Sequence, residues 1–246
     1  MKKLLVFIGL GIIAAVVIGG CSKSAVGPGL SAKYHVEAML VENLAGYTAR
    51  IDVALTKNDS LYKKAIVTLA AVPLDTVSIG YYKTFDTTKI KPGHSYVLNI
   101  KDSTSLNYNI IISVPGILTG HVTNLPVNRL YSGGMVTVQW TVATGADGYI
   151  YATTTPPGSI SDSGYQVYAA GTDGAIPPDA FKLNQVPISG THKVYIAAYT
   201  GAPVSAPGVP FAIPVANNPA DNISTTIITG RAAGMVVALP DSVVVP

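Results

Sequence analysis

The chain has 246 residues, of which 16 are Lys or Arg and 13 are Asp or Glu, with 24 glycines, 17 prolines, 14 tyrosines and one cysteine. Charge is sparse, and no basic run interleaves with aromatics, which excludes a nucleic-acid binder of the usual kind. One cysteine excludes an internal disulfide framework, so stability must come from buried apolar surface.

The chain starts with Lys2 and Lys3, followed by an uncharged apolar run from Leu4 to Ile18 and two glycines before Cys21. This is the layout of a secretory signal, and ~15 apolar residues fall short of the ~20 that a spanning helix needs. Ile18-Gly19-Gly20-Cys21 resembles the lipobox of bacterial lipoprotein precursors. The resemblance implies cleavage after Gly20, with diacylglycerol on the Cys21 thiol and an acyl chain on the new amino terminus. Several acyl chains make a stable anchor where one is marginal. Ser22 in place of aspartate implies, by the same analogy, the cell outer membrane. Apart from this covalent lipid, no cofactor is expected. Residues 21–33 read as a lipidated Gly/Pro-rich tether.

About 225 residues follow Cys21, length for two ordinary domains. Short alternating runs bounded by Gly, Pro, Asn and Asp recur, and no long helical period appears, so an all-β chain is expected. Strands are read at 34–42, 47–56, 63–72, 76–82, 95–101 and 107–114. In the second of these, Ala49, Ile51, Val53 and Leu55 share a face, with Arg50, Asp52 and Ala54 opposite. Pro92 and Gly93 in "KPGHS" suit a turn. Six or seven strands in about 85 residues predict an immunoglobulin-like sandwich over 34–116.

From 133 to 153 the chain reads "GGMVTVQWTVATGADGYIYAT", with Val136, Val138 and Trp140 on one strand face and Tyr149 and Tyr151 on one face of the next. This is similar to the early strands of fibronectin type III domains. "GTHKVYIAAYTG" (190–201) resembles their late strand, with Val194, Ile196 and Ala198 inward. The resemblance spans 117–214 and implies a second sandwich in tandem with the first. That family has a corner tyrosine where this chain has His192, which implies a rebuilt corner or a shifted register. For 215–246, a C-terminal β extension, "NISTTIITG" and "AGMVVALP" either form a hairpin around "GRAAG" or supply late edge strands to either sandwich.

Chemistry is thin. His35, His94, His121 and His192 stand in separate segments without metal-ligand spacing, and no Gly-x-Ser-x-Gly elbow occurs. Asp162, Asp173 and Asp179 share a Gly-rich stretch, without the compact oxygen pattern calcium requires, and read as solvated. No enzyme and no metal are expected. Tyrosine suits protein or sugar contact, and Tyr81, Tyr82, Tyr165 and Tyr168 are the candidate binding surface. Adjacent Tyr81 and Tyr82 must point to opposite faces. Two functions follow as expectations. One is a lipid-anchored envelope module, binding or structural, that contacts a protein or polysaccharide partner. The other is a surface lipoprotein of a nutrient-uptake system that captures a glycan or small ligand in a cleft between domains.

Overall fold

The computed structural model describes residues 33–103, 106–126, 128–157, 164–215 and 217–246. Ile18, Gly19, Gly20, Cys21 and Asp162 lie outside them. Among the described residues the fold is all-β, with a single 3-10 turn at Pro178–Phe181. Among the described residues no helix is long and apolar enough to cross a membrane.

The first half contains β1 (Tyr34–Asn43), β2 (Thr48–Lys57), β3 (Ser60–Leu61), β4 (Ile66–Leu69), β5 (Val72–Pro73), β6 (Asp75–Val77), β7 (Gly80–Asp86), β8 (Ser95–Lys101) and β9 (Asn107–Ser113). Neighbours in space run β1-β2-β7-β6 in one sheet and β5-β4-β8-β9 in the other. Lettered in chain order this is the A-B-E-D and C-F-G arrangement of a constant-type immunoglobulin sandwich, with β5 added beside C. The run read as one strand at 63–72 is a hairpin, because Ala70 and Ala71 take φ of 48° and 66°. The run at 76–82 is likewise two strands, β6 and β7, turning between Val77 and Gly80.

The second half contains β10 (Gly120–Val122), β11 (Val136–Trp140), β12 (Gly148–Thr154), β13 (Gln166–Ala169), β14 (Asp173–Ile176), β15 (Lys182–Leu183), β16 (Val186–Pro187), β17 (Gly190–Gly201), β18 (Ile223–Ser224), β19 (Ile228–Val237) and β20 (Asp241–Val245). Its small sheet is β10-β11-β14, and the facing sheet runs β13-β12-β17. The place beside β17 is shared: β20 pairs with its first five residues and β19 with its last five. Asp241 accepts from the Val122 backbone N–H at 2.8 Å and pairs with Arg129 at 3.1 Å, so β20 is tied to β10 across the sandwich.

β19 also pairs in parallel with β1 over ten residues, Tyr34 opposite Ile228 through Asn43 opposite Val237. The two sandwiches therefore share one continuous sheet, β13-β12-β17-β19-β1-β2-β7-β6. "GRAAG" is not a turn, which corrects the hairpin alternative: Gly230 and Gly234 both lie inside β19. A Cβ at Gly230 would overlap the Val36 carbonyl, and one at Gly234 the Ser113 carbonyl. Here the glycines serve close backbone approach rather than a bend.

One face of the long sheet packs on the two small sheets in a single core that runs from Tyr34 to Val245. The other face carries Met39, Val41, Ile150, Ala197 and Met235, covered by Val204, Phe211 and Ile213 from the proline-rich segment between β17 and β18. That segment has few ladder donors, since proline has no N–H. Burial of these three side chains, roughly 5 kcal/mol as an upper estimate, is what holds it down.

Candidate functional site

The core phase of β1 is Tyr34, Val36, Ala38, Leu40, and the next residue in that phase is Glu42. Side chains two apart share a face, so the strand carries the Glu42 carboxyl to the end of the apolar core. The flanking residues, Ala49 in β2 and Val236 in β19, offer it no polar group. Glu42 is 2 % exposed. Its Oε2 has no hydrogen-bond partner, and no ion pair reaches it among the described residues. Burial pushes its pKa up to about 7.

Glu37, five residues earlier on the same strand and on the opposite face, shows the contrast. Its carboxylate meets Arg231 at 2.9 Å and His35 at 4.0 Å. The neighbouring His35 imidazole and the hydrogen bond from Arg231, against an opposing burial effect, hold its pKa down at about 2. One residue type on one strand is thus a satisfied carboxylate at one position and an unsatisfied, titratable carboxyl at the other.

Glu42 lines a cavity of about 420 Å³ together with Leu44, Tyr47, Thr87, Ile117, Leu118, Thr119, Gly120 and Leu239. These residues come from the β1–β2 turn, the end of β7, the linker into β10, and the residues after β19. Every one of these segments is placed by the shared sheet or its junction. Leu118 is buried, while Tyr47 (76 % exposed), Ile117 (63 %) and Leu239 (62 %) stand in solvent. Tyr47 adopts φ of 49°, the left-handed region that a non-glycine residue takes at a cost. The turn is held by the Ala45 N–H donating to Asn43 Oδ1 at 3.0 Å and the Gly46 N–H donating to the Asn43 carbonyl at 3.2 Å. The arrangement can hold a small molecule with an apolar body, and the carboxyl can donate or accept from its lining. Among the described residues no histidine, lysine or arginine lines it.

The four tyrosines of the candidate surface do not converge. Tyr81 is 2 % exposed and belongs to the core, a correction to its assignment as a surface residue. Its hydroxyl donates to the Tyr62 carbonyl at 3.2 Å and accepts from the Ala65 N–H at 3.1 Å. Tyr82 is half-buried under the Arg50 guanidinium, 4.9 Å from its ring centre, and Arg50 is in turn forked onto Asp52. Tyr165 packs beside Tyr151 at 6.1 Å on the main core side. Tyr168 packs against Tyr199 at 5.5 Å on the opposite face and meets the Asn218 side-chain amide at 3.0 Å. Each ring is taken up by its own sandwich.

The remaining sequence candidates are placed as follows. Trp140 packs between Tyr149 (5.6 Å) and Tyr151 (5.8 Å) in the core. His192 is fully buried, its Nε2 donating to the Ile188 carbonyl at 2.8 Å, so the corner is rebuilt with an imidazole reaching four residues upstream. Burial lowers its pKa. His94 and His121 are exposed. Asp173 and Asp179 are exposed, and among the described residues no three His, Cys, Asp or Glu side chains form a metal cluster. Glu42 was not singled out by sequence. The only signal was an acid in phase with Tyr34, Val36, Ala38 and Leu40, and it was masked because the later residues of β1 are buried on both faces.

No family model matches the chain, and no curated protein is similar to it. Among solved structures, a cytokine receptor complex is 10 % identical with a TM-score of 0.27, over 66 % of this chain and 89 % of that one. The chicken CNTN1 FN1-FN3 domains are 12 % identical with a TM-score of 0.26, over 85 % and 63 %. The DIP-gamma IG1+IG2 domains are 10 % identical with a TM-score of 0.22, over 86 % and 96 %. Likeness at this level carries no argument about function.

Proposed function

We propose that this chain is a non-catalytic binding protein, lipid-anchored at the cell outer membrane through Cys21, that captures a small ligand in the cleft around Glu42. The observation that carries this reading is a buried carboxyl, its Oε2 without a partner among the described residues, in the lining of a mostly apolar 420 Å³ cavity. A buried polar group without a protein partner costs free energy unless water or a ligand completes it, and of those in this fold Glu42 is the one that lines the cavity. A pocket of this size and lining falls within the range of small-molecule sites.

The second reading, contact with an envelope protein or polysaccharide, draws on a different observation. Val97 and Ile111 are cross-strand partners on the outer face of the β8–β9 pair, 45 % and 71 % exposed. Tyr96 and Tyr108 of the same strands pack against the core instead, so this outer face differs from the tyrosine surface expected from sequence.

Native mass spectrometry of the acylated protein, extracted gently from its own envelope, tests both. A co-purifying small molecule lost in Glu42→Ala supports capture. A stoichiometric protein or polysaccharide partner, lost in Ile111→Lys and retained in Glu42→Ala, replaces capture with the second reading. The anchor is tested by Cys21→Ser, which should release or mislocalise the protein; retention in membranes at the normal level and size would end that part of the proposal.

A further inference from the structure

We infer that the ligand of the Glu42 cleft is an organic cation, a protonated amine or amidine head on an apolar body. The inference rests on the capture reading above and names the class of molecule that the same site accepts. Four ligand chemistries compete for such a cavity. An anion meets a carboxylate and finds no Lys, Arg or His among the lining residues. A glycan needs many convergent donors and acceptors, whereas here the polar side chains are Glu42, the Thr87 and Thr119 hydroxyls and the Tyr47 phenol. A hard metal ion wants six or more oxygens, and one carboxylate with two threonines in an apolar pocket falls short. A neutral apolar molecule fills the volume but leaves Oε2 unpaired, which retains the cost that marks the site.

A cation with an apolar body resolves both features together. Its N–H groups supply a counter-charge and a donor to the Glu42 carboxyl, which lines the cavity and whose Oε2 has no partner among the described residues. Its body covers Leu44, Ile117, Leu118 and Leu239. Tyr47, a lining residue that is mostly exposed, offers a π face to a cation entering from solvent. The titratable groups lining the cavity are Glu42 and Tyr47 alone among the described residues, so no resident cation has to be displaced. Binding converts the neutral carboxyl to carboxylate: the proton on Glu42 leaves to solvent and the ligand ammonium takes its place as counter-charge. With a free-state pKa of about 7, binding at pH 7 releases about half a proton per ligand.

The test uses the acylated full chain in phosphatidylcholine vesicles and three probes of matched shape: 3-phenylpropylammonium, 3-phenylpropanol and 3-phenylpropanoate. Titration calorimetry in two buffers of different ionisation enthalpy reads affinity and proton release. The expected result is binding of the ammonium at least about tenfold tighter than of the alcohol or the carboxylate, with proton release. Glu42→Gln, which keeps the shape, should lower the ammonium affinity by about tenfold, leave the alcohol unchanged and abolish the proton release. Equal binding of ammonium and alcohol, or ammonium binding indifferent to Glu42→Gln, overturns the cation and leaves the cleft as a ligand site. If none of the three probes binds, the cation class falls; if the native extract also carries no small molecule, capture falls with it.

Discussion

Gly234, in the middle of β19, lies against the carbonyl oxygen of Ser113 at the end of β9, in the space a Cβ would occupy. The Thr200 hydroxyl donates to the same carbonyl. The small sheet of the first sandwich is thus seated on the strand that joins the two halves. Gly234→Ala forces backbone apart in a packed interior, a change that costs about 1–3 kcal/mol, and Thr200→Val should cost about 1 kcal/mol. Urea unfolding reads both. A Gly234→Ala variant as stable as the parent would show that β9 does not rest there.

The ten-residue parallel pairing of β1 with β19 couples the sandwiches. Unfolding should be a single transition, although tandem domains joined by a linker commonly show two. Trp140 fluorescence, which reports the second sandwich, and hydrogen exchange of β2 and β8, which reports the first, should give coincident midpoints. Ending the chain after Asn222 removes β18, β19 and β20 and opens the edges of β1 and β17, and the product should aggregate. Separate midpoints in the full chain would refute the coupling.

Glu42 gives stability a definite pH sign. Its folded pKa is about 7 against an ordinary 4.5, so the native state binds more protons than the unfolded chain between these values, and stability falls as pH rises through that window. The loss is on the order of 3 kcal/mol. Glu42→Gln should flatten this segment of the profile and unfold at higher temperature than the parent at pH 8. Glu37 acts oppositely: held at about 2, it contributes stability above pH 4.5 that is lost as pH falls toward 2. Melting temperatures of Glu37→Gln and Glu42→Gln at pH 3 and pH 8 separate the two effects.

His192 offers a third handle. Its pKa is lowered by burial, so protonation opposes folding and stability falls as pH drops below the ordinary 6.5. His192→Phe keeps a ring beside Phe181, which it meets edge-on at 5.3 Å, and removes the donor to Ile188. The variant should lose about 1–2 kcal/mol at pH 8, and less at pH 5.5 because the parent then carries the cost of protonation. A larger loss at pH 5.5 than at pH 8 would contradict the neutral, buried imidazole.

Much of the fold was legible because strands announce themselves locally. In β2 the alternation of Ala49, Ile51, Val53 and Leu55 with Arg50, Asp52 and Ala54 appears unchanged as buried and half-buried residues. Val136, Val138 and Trp140 face the core as their spacing requires. The site was not legible for two reasons. Tyrosine is amphipathic, so composition alone cannot tell a Tyr81 sealed in the core from a Tyr82 under an arginine. Glu42 sits in a strand whose later residues are buried on both faces, where alternation no longer marks inside from outside.

Local order along the chain, by itself, determined that this protein is built of sheets, that Trp140 anchors a core, and that the lone thiol has no partner for a disulfide. Tertiary structure alone decided that Ile228–Val237 stands between Tyr34–Asn43 and Gly190–Gly201, and that a carboxyl from the first sandwich closes a cavity completed by residues 117–120 and 239. The reason is physical. Periodicity encodes which side of a strand is apolar, but pairing partners far apart in sequence are chosen by backbone fit, here by glycines that admit a neighbouring carbonyl. Only that choice sets what surrounds Glu42.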